Sequence, residues 1–428
     1  MNKSIFRIAL WGGAIALLVG SSAAFADASA RPTYTKDVLP ILQRDCQNCH
    51  RPLGANVSGM IAPMSLMTYQ EVRPWAKSIA KTVQARNMPP WKAAPEFTGQ
   101  FKHERVLTDD EIGIFVNWAK TGANRGNQKD APPPIEWPET GWTIGGGTPD
   151  IIVTFDEPNW VPDEVDDLYQ NITVRLTKEQ MPEDRWLKAI EFKPGSEVVH
   201  HIIAYQSAPS GSGAMTGGML GGEAPGTDPT SWEDGYGVFV PATPVITFQM
   251  HYHKEAGPGT GVMDNSSFAM VFHDEKVNPV THAVQIATIS HGAFEIPPRN
   301  PLWKVGGAQT FSQDTTILGF MPHLHLRGVA CKYTARYPDG TSEVLLDVPQ
   351  YDFNWQLFYE YKRGKMKNIP AGTRVEFEMW YDNSPERAAL LGINADRPVA
   401  FGGPTWDEMD LGWMNYTNTE PMSQGSGD

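Results

Sequence analysis

Cysteine is scarce in this chain: of its 428 residues only Cys46, Cys49 and Cys331 are cysteines. So few thiols exclude a scaffold held together by several disulfide bonds. Positive charge is also in short supply, because 35 Lys and Arg stand against 49 Asp and Glu, which gives a formal net charge of −14. This acidity argues against nucleic acid or an anionic membrane surface as a partner.

Long apolar runs are equally scarce, and the most prominent one lies at the N-terminus. Lys3 and Arg7 give a positive start, residues 8–20 are apolar, and the string AFA at 24–26 supplies small residues for cleavage. The run is shorter than the about 20 residues that a membrane span needs. We therefore predict a signal peptide over residues 1–26, a mature chain without a membrane span, and a periplasmic location. Removal of Lys3 and Arg7 changes the formal charge from −14 to −16.

The first two cysteines stand in the string CQNCH, residues 46–50. This pattern is typical of covalent c-type haem attachment, with Cys46 and Cys49 as thioether positions and His50 as the proximal iron ligand. A redox Cys-x-x-Cys pair and half of a zinc site are the alternatives. A second cysteine pair for zinc is missing, and the surrounding sequence does not suggest a βαβ unit. We predict one covalently attached haem.

Two helical patterns flank the haem motif. Before it, apolar residues at Val38, Leu39, Ile41 and Leu42 predict a short amphipathic helix. After it, Thr108, Asp109 and Asp110 predict a capped helix start, followed by apolar residues at helical spacing, namely Ile112, Phe115, Val116 and Trp118. The two segments resemble the first and last helices of a cytochrome c domain. We place this all-α haem domain at residues 31–124.

A methionine is the expected sixth haem ligand, because a thioether raises the haem potential. Candidates are Met60, Met64, Met67 and Met88. Met88 is preferred because two prolines stiffen the string NMPPW around it, and similar strings occur in cytochrome domains that this segment resembles. The other three fit better as packed side chains. Residues 125–150 follow as a linker rich in proline and glycine, without a hydrophobic period.

Beyond residue 150 the chain consists of short alternating segments separated by Gly, Pro and Asn. They predict strands of five to nine residues and two antiparallel β-sandwiches, at residues 151–295 and 296–420. The clearest predicted strands are DIIVTF, QNITVRL, WLKAIEFKPG, EVVHHIIAYQ, VITFQMHYH, SSFAMVFH, TTILGFMPHLHLRG, CKYTARYPDG, EVLLDV and TRVEFEMWYDNS.

Histidines fall in these segments as three pairs: His200 with His201, His251 with His253, and His323 with His325. Alternating residues share one face of a strand, so each spaced pair is expected to point to one side. Adjacent residues do not, so His200 and His201 converge only at a bulge or through different ring nitrogens.

Together with Met409 in TWDEMDLGW, these nitrogen donors favour copper over zinc, although exposed histidine pairs are the plain alternative. Base rates assign no role to the remaining single histidines, namely His103, His273, His282 and His291.

Four strings in order, VVHHIIAYQ, QMHYHKEAG, MPHLHLRG and DEMDLGW, resemble the copper-binding motifs of the type II ascorbate-dependent monooxygenases. That family comprises the peptidylglycine and dopamine β-hydroxylating enzymes, and the resemblance covers about residues 150–418. It implies two jelly-roll domains that each hold one copper and face each other across a solvent-filled cleft.

The resemblance also implies a role for each ligand. His200, His201 and His251 correspond to the copper that accepts and passes electrons, with His253 in reserve. The catalytic set His323, His325 and Met409 corresponds to the copper that binds oxygen and hydroxylates substrate. Met321 stands where the peptidylglycine enzymes hold an arginine for the substrate carboxylate, which argues against peptidylglycine as the substrate.

These features together predict a copper-dependent monooxygenase with two copper ions and one haem. It would hydroxylate a C–H bond of a small organic molecule with O2. Electrons would come through the haem from an external donor such as a reduced cytochrome, a quinol-derived chain or an ascorbate-like reductant. The alternative is a non-catalytic haem and copper protein for electron transfer or copper handling. The substrate, the donor, the oligomeric state and the role of the Gly-rich loop 210–228 stay open.

Overall fold

Helices are concentrated in the first part of the chain. The computed structural model describes residues 31–52, 62, 64–207 and 218–422, so the predicted signal peptide, Met60 and part of the Gly-rich loop lie outside the described residues. The α-helices among the described residues are Leu39–Asp45 (α1), Tyr69–Val72 (α2), Ala76–Gln84 (α3), Asp109–Lys120 (α4) and, far downstream, Pro385–Leu391 (α5). None of the helices in the described part of the chain combines the length and apolarity needed to cross a bilayer.

Both helices predicted around the haem motif are present. α1 ends directly before Cys46, and α4 begins after Thr108, whose hydroxyl accepts the backbone N–H of Glu111 at 3.2 Å. The Glu111 carboxylate in turn accepts the backbone N–H of Thr108 at 2.9 Å, which completes a capping box. Phe115 and Trp118 are fully buried against the apolar face of α1, in one small hydrophobic core. The identity of this segment as a cytochrome c domain stays a prediction.

The rest of the chain is built almost entirely of strands. Their bounds are Ile151–Thr154 (β1), Asn159–Val161 (β2), Asp167–Arg175 (β3), Arg185–Lys193 (β4), Val199–Ser207 (β5), Met219–Glu223 (β6), Thr230–Ser231 (β7), Tyr236–Val240 (β8), Val245–His253 (β9), Val262–Asp264 (β10), Ser267–Phe272 (β11), His282–Ala283 (β12), Gln285–Ile289 (β13), Glu295–Ile296 (β14), Trp303–Thr310 (β15), Thr315–His323 (β16), Gly328–Arg336 (β17), Ser342–Val348 (β18), Tyr359–Glu360 (β19), Lys367–Ile369 (β20), Arg374–Tyr381 (β21), Val399–Ala400 (β22) and Leu411–Asn418 (β23).

Four larger sheets make two β-sandwiches, as the alternating pattern predicts. The first sandwich packs the sheet β1-β11-β4-β8-β12, with β7 beside β4, on the sheet β3-β9-β5-β6. The second packs β13-β23-β16-β19, with β20 beside β16, on β15-β21-β17-β18. β2 pairs with β10 and β14 with β22 in two small ribbons.

The second sandwich begins earlier in the chain than the predicted boundary at residue 295. β13 lies before that boundary, yet it pairs along its whole length with β23, from Gln285 opposite Tyr416 to Ile289 opposite Gly412. The sequence prediction did not include β13 or β23, although β23 occupies the middle of its sheet. The physical reason is that a strand's sheet is decided by its long-range partner, which local alternation does not reveal.

Part of the predicted haem domain packs into the core of the second sandwich. Ala94, Phe97 and Phe101 are buried with the residues of that core, and the Phe101 ring stacks on Tyr361 at 4.8 Å between centroids. Backbone hydrogen bonds fix the contact, because Ala94 N donates to Asp347 O at 2.9 Å and Lys102 N to Glu360 O at 2.7 Å. The segment after α3 therefore belongs physically to the second sandwich.

The two sandwiches meet through a small apolar cluster. Ile203 of β5 and Ala224, just after β6, pack against Met321 of β16 and Trp413 of β23. On β5, Ile202 and Ala204 point into the first sandwich, whereas His201 and Ile203 point to the second. The same strand face thus carries both the apolar contact and the first histidines.

The predicted linker is partly docked on the first sandwich. Trp142 and Ile144 are buried against Ala189 and Ala269 of that sandwich. The carboxylate of Glu191 on β4 accepts the backbone N–H of Ile144 at 3.0 Å. The second half of residues 125–150 is therefore held in place rather than free.

Candidate metal centre

Three histidines of the first sandwich converge through a β-bulge. β5 and β9 pair with His201 opposite His251, and their register shifts between Val199 and His201, so His200 is the extra residue. The shift turns His200 to the side of its neighbour. As a result, ligand nitrogens of His200, His201 and His251 all lie within 4.8 Å of one another. Convergence at a bulge is one of the two routes that the sequence allowed.

The histidines of the second sandwich lie at the end of β16. His323 is the last residue of the strand, and His325 lies beyond it, so the expectation that both share one strand face was wrong. The ladder stops because the buried Glu408 carboxylate takes the backbone N–H groups of His325, at 2.8 Å, and of Arg327, at 2.6 Å. The two rings still meet edge to face, 5.2 Å apart.

The two histidine sets form one buried cluster. The rings of His201 and His323 are 5.4 Å apart, and Phe353 stacks on His200 at 4.6 Å while its edge faces His325 at 5.9 Å. The resemblance implies a solvent-filled cleft between the sets, but here His251 and His325 are fully buried. The contact of Ile203 with Met321 and Trp413 brings the sandwiches together beside the rings.

The histidine nitrogens fit a metal better than a purely structural role. Five buried ring nitrogens in the cluster lack a hydrogen-bond partner among the described residues: His200 Nδ1, His201 Nδ1 and Nε2, His251 Nδ1 and His325 Nε2. Buried polar atoms are normally paired, so this many together indicate a missing partner. Neutral imidazoles without a nearby thiolate suit copper, because Cys331 is buried in the core of the second sandwich.

Burial keeps these rings neutral. It lowers the pKa of His323 to about 4, although the hydrogen bond with Gln356 acts in the opposite direction. Burial and the neighbouring histidines hold the pKa values of His200, His201 and His325 well below the ordinary value. A neutral imidazole is the form that binds a metal, so all of these rings are ready for ligation near neutral pH.

Asp167 supports the first set, and sequence reasoning missed it. Its carboxylate lies 3.2 Å from His251 Nε2 and 3.5 Å from His253 Nδ1. It also accepts the backbone N–H of Thr405 from the second sandwich at 3.2 Å, and the Thr405 hydroxyl. Burial acts to raise the pKa of Asp167, but the hydrogen bonds from these histidines and Thr405 outweigh it and hold the pKa well below its usual range.

The carboxylate of Asp167 fixes the orientation of His251. With Nε2 turned to Asp167, only Nδ1 of His251 is left to face its partner histidines. The Tyr169 ring stacks on the His251 ring at 4.1 Å and holds it from one side. A signal was present in the string DLYQ, where Asp167 and Tyr169 alternate just ahead of the predicted strand.

Gln356 plays the corresponding part for the second set. Its Oε1 lies 2.5 Å from His323 Nδ1, which leaves Nε2 of His323 for a metal. The Asp407 carbonyl lies 3.3 Å from Nδ1 of His325 and orients that ring in the same way. No local pattern marks Gln356, which lies 33 residues from His323 in the chain.

The remaining predicted ligands of the histidine cluster differ in their surroundings. Met409 is half-buried and directly follows Glu408, and Tyr381 donates its hydroxyl to the Met409 carbonyl at 2.7 Å. Met409 therefore belongs to the loop that Glu408 ties to His325. The His253 side chain is 49% exposed and faces Asp167, so it stands at the rim of the cluster.

Residues 46–50, the predicted haem motif, form a turn directly after α1. His50 N donates to Cys46 O at 2.9 Å, and neither Cys46 nor Cys49 is in a disulfide. Nδ1 of His50 lies 3.1 Å from the Met64 carbonyl, which leaves Nε2 as an axial donor. Burial raises the pKa of Cys46 to about 12, unlike the lowered pKa of a redox Cys-x-x-Cys pair. The residues thus fit a tethered haem.

The sixth haem ligand stays a prediction. Met64 contacts Nδ1 of His50 through its backbone carbonyl, and its side chain is partly buried against the small hydrophobic core of the helical segment. Met88 is half-buried after α3, just before the segment that enters the second sandwich.

Comparisons with known proteins leave the family open. No family model matches the chain, and no curated protein matches it. Among solved structures, one similar chain is PBCV-1 VP54 fitted into the virophage Sputnik, with 7% identity and a TM-score of 0.27 over 65% of this chain and 97% of that one. Another is a Paenibacillus xanthan lyase, with 10% identity and a TM-score of 0.17 over 63% of this chain and 25% of that one. Because these TM-scores are so low, the two structures carry no argument about this fold. The assignment of two β-sandwiches rests on the strand pairing alone.

Proposed function

We propose that this chain is an exported copper-dependent monooxygenase with a covalently attached haem. It hydroxylates a C–H bond of a small organic substrate. The single observation that carries the proposal is the cluster of buried histidines whose unpaired nitrogens meet where the two sandwiches join. The haem motif, the signal-like N-terminus and the resemblance of the four histidine and methionine strings support the remaining parts.

The first copper would be held by His200, His201 and His251. The bulge in β5 brings the three rings together, and Asp167 directs Nδ1 of His251 toward its partners. Three neutral imidazoles accept copper in both oxidation states, which suits a site that passes single electrons.

The second copper would be held by His323, His325 and Met409. Gln356 and the Asp407 carbonyl orient the two rings, and Glu408 fixes the loop that carries the methionine. Copper bound to two imidazoles and a thioether supplies O2 activation and single-electron redox chemistry. Met321 and Trp413 line the space beside His323 with apolar surface, which favours a substrate without a carboxylate group.

The overall reaction defines what the haem must deliver. A C–H bond, one O2, two electrons and two protons give a C–OH bond and one water. Cys46, Cys49 and His50 would hold the haem, with Met88 as the proposed sixth ligand, and an external one-electron donor would reduce it. A donor could be a reduced cytochrome, a quinol-derived chain or an ascorbate-like reductant.

The first experiment measures metal and haem in protein exported to the periplasm. We expect two coppers and one haem per chain. The sulfur ligand is then tested by X-ray absorption of the reduced protein, where Met409→Leu should lose the Cu–S signal. Met414→Leu is the matched control, because Met414 is fully buried in the core of the same sandwich. A Cu–S signal that survives in Met409→Leu would overturn the assignment of the second site.

A second candidate function is non-catalytic electron transfer or copper handling. One observation favours it: the cavity beside His201 and His323 has a volume of about 10 Å³, which holds one water at most. A catalytic site must open further than this to admit substrate. Reduced, copper-loaded protein that consumes no O2 and forms neither hydroxylated product nor hydrogen peroxide above a copper-free control would support this second function.

A further inference from the structure

One short turn links the haem motif to the second histidine set. This connecting turn, Ala224–Asp228, directly follows β6. Thr227 closes it, because its N–H donates to the Ala224 carbonyl at 3.0 Å and its hydroxyl accepts the Ala224 N–H at 3.2 Å. The turn therefore has a defined shape rather than the freedom of an ordinary loop.

At one end, the connecting turn contacts the haem motif. Asn48, between the two haem cysteines, donates its side-chain N–H to Asp228 Oδ1 at 3.2 Å. The guanidinium of Arg105 donates to the same carboxylate oxygen, and only 9% of Arg105 is exposed. A buried charged pair of this kind holds Asp228 firmly against Asn48.

At the other end, the connecting turn contacts the partner of His323. The Pro225 carbonyl accepts the backbone N–H of Gln356 at 2.9 Å, and Gln356 Oε1 lies 2.5 Å from His323 Nδ1. Gly226 has φ +90°, and a Cβ there would lie 2.8 Å from Leu357 and 3.0 Å from Trp355. The turn thus packs directly on the segment that presents Gln356, with no room for a side chain between them.

We propose that this run of covalent and hydrogen bonds, Asn48 to Asp228, along the turn to Pro225, then Gln356 to His323, is the electron-transfer connection between the haem motif and the second histidine set. The inference rests on the proposed function, because it needs both the haem and a copper at His323 and His325. Bonded paths couple electron donors and acceptors better than gaps of the same length. The connection reaches the second set without passing through His200, His201 or His251.

The electron count of the proposed step is simple. One ferrous haem becomes ferric, and one cupric ion becomes cuprous, while no atom or proton moves. A one-electron donor, such as a reduced soluble cytochrome, restores the ferrous haem. The order differs from the sequence expectation, in which the first copper accepts the electrons and passes them on.

The test uses full-length protein that carries haem and copper. The haem is in the reduced state, and neither O2 nor substrate is present. Haem reoxidation is followed by its absorbance in stopped flow. We expect Asn48→Ala to slow it severalfold, with copper content, haem content and haem midpoint potential unchanged. Gln43→Ala is the matched control, because the Gln43 side chain on nearby α1 donates to the Pro133 carbonyl of the linker at 2.9 Å. It should leave the rate unchanged.

The possible outcomes separate the two proposals. An Asn48→Ala rate equal to the wild-type rate, at full haem and copper content, overturns the connection and leaves the proposed function standing. Wild-type protein whose ferrous haem is not reoxidised by bound cupric ion overturns the electron supply, and the connection with it. Rapid-freeze EPR identifies the copper that receives the electron. The cupric signal that is lost first should be the signal that the His325→Ala variant lacks.

Discussion

The two histidine sets differ most in the chemistry of the side chain that contacts a ring nitrogen of one histidine in each set. In the first set, the ring of His251 faces an ionised carboxylate, that of Asp167, at 3.2 Å. In the second, the ring of His323 faces a neutral amide, that of Gln356, at 2.5 Å. Both sets are buried and both lack thiolates, so the partner behind the ring is the main chemical difference between them.

This difference assigns the two sites different electronic properties. A carboxylate hydrogen-bonded to an imidazole makes the ring a stronger donor, which favours the cupric ion. A neutral amide does this less, and the thioether of Met409, the proposed third ligand of the second copper, favours the cuprous ion. We therefore expect the second site to have the higher reduction potential, so that it is the site where electrons collect. This agrees with a connection that ends at His323.

The largest effect is expected from removing one ligand from each set in turn. His251→Ala and His325→Ala should each lower the copper content from two per chain to one, because in the proposed function each set binds its own ion. The exposed His291, replaced by Gln, is the control and should retain two. Loss of both coppers from either single variant would mean that the cluster binds metal as one unit, and the comparison of two sites would then fail. Copper and protein are measured on the same sample.

The next effect concerns the fold that carries both histidine sets rather than either set itself. Burial raises the pKa of Glu360 to about 7, while Lys102 acts to lower it. The folded state therefore holds this proton more tightly than the unfolded state, so its contribution to stability falls as pH rises from about 4.5 to about 7. Relative to wild type, Glu360→Gln should become more stable between pH 5 and pH 8, by roughly 3 kcal/mol at most.

Chemical unfolding of the metal-free chain at pH 5, 6, 7 and 8 measures the Glu360 effect. Copper content of the loaded variant should stay at two, since Glu360 contacts neither histidine set. A difference in unfolding free energy that does not change with pH would contradict the shifted pKa. A changed copper content would show that copper binding at the two sites depends on the surrounding fold around Glu360.

A smaller effect is expected when the carboxylate behind the first set is neutralised. Asp167→Asn keeps the shape but removes the charge, and loss of such a partner lowers metal affinity by about 10- to 100-fold. Competition with a copper chelator should show this loss for one copper only. Asp166→Asn makes the same change at the exposed neighbouring residue and serves as the control. Equal weakening of both coppers would contradict the assignment of Asp167 to the first set alone.

The smallest effect should come from the reverse change behind the second set. Gln356→Glu places a carboxyl group beside His323 and should make the two sites more alike. We expect the potential of the second copper to fall, by about 60 mV for each tenfold gain in relative affinity for the cupric ion. A redox titration followed by EPR measures it, and an unchanged or higher potential would contradict the comparison.

Much of the fold could be predicted from local sequence patterns. Periodicity predicted α1, α4 and the strands that hold most of both cores, because each buries one face of a regular element. The Thr108 cap and the bulge at His200 were also foreseeable, since both follow from backbone geometry. The ligand candidates were found because histidine pairs in strands are conspicuous in a chain with only eleven histidines.

The rest of the site depends on contacts between distant parts of the chain. Asp167 reaches His251 because β3 pairs with β9 in one sheet, and Gln356 reaches His323 inside the second sandwich. Phe353 meets His200 only because one sandwich packs on the other. Likewise, β13 lies before a sequence boundary that its partner β23 overrides. Such partners are invisible to periodicity, because periodicity describes one element at a time.

The placement of Ala94, Phe97 and Phe101 inside the second sandwich has a consequence for biosynthesis. Lys102 and its partner Glu360 are 258 residues apart, so this segment leaves the ribosome long before its binding site exists. Domains usually fold in the order of their synthesis. Here the segment that is synthesised first keeps three apolar side chains exposed to solvent until the second sandwich, which is synthesised last, is complete. Truncation after residue 124 should therefore yield an aggregation-prone fragment instead of an independent domain.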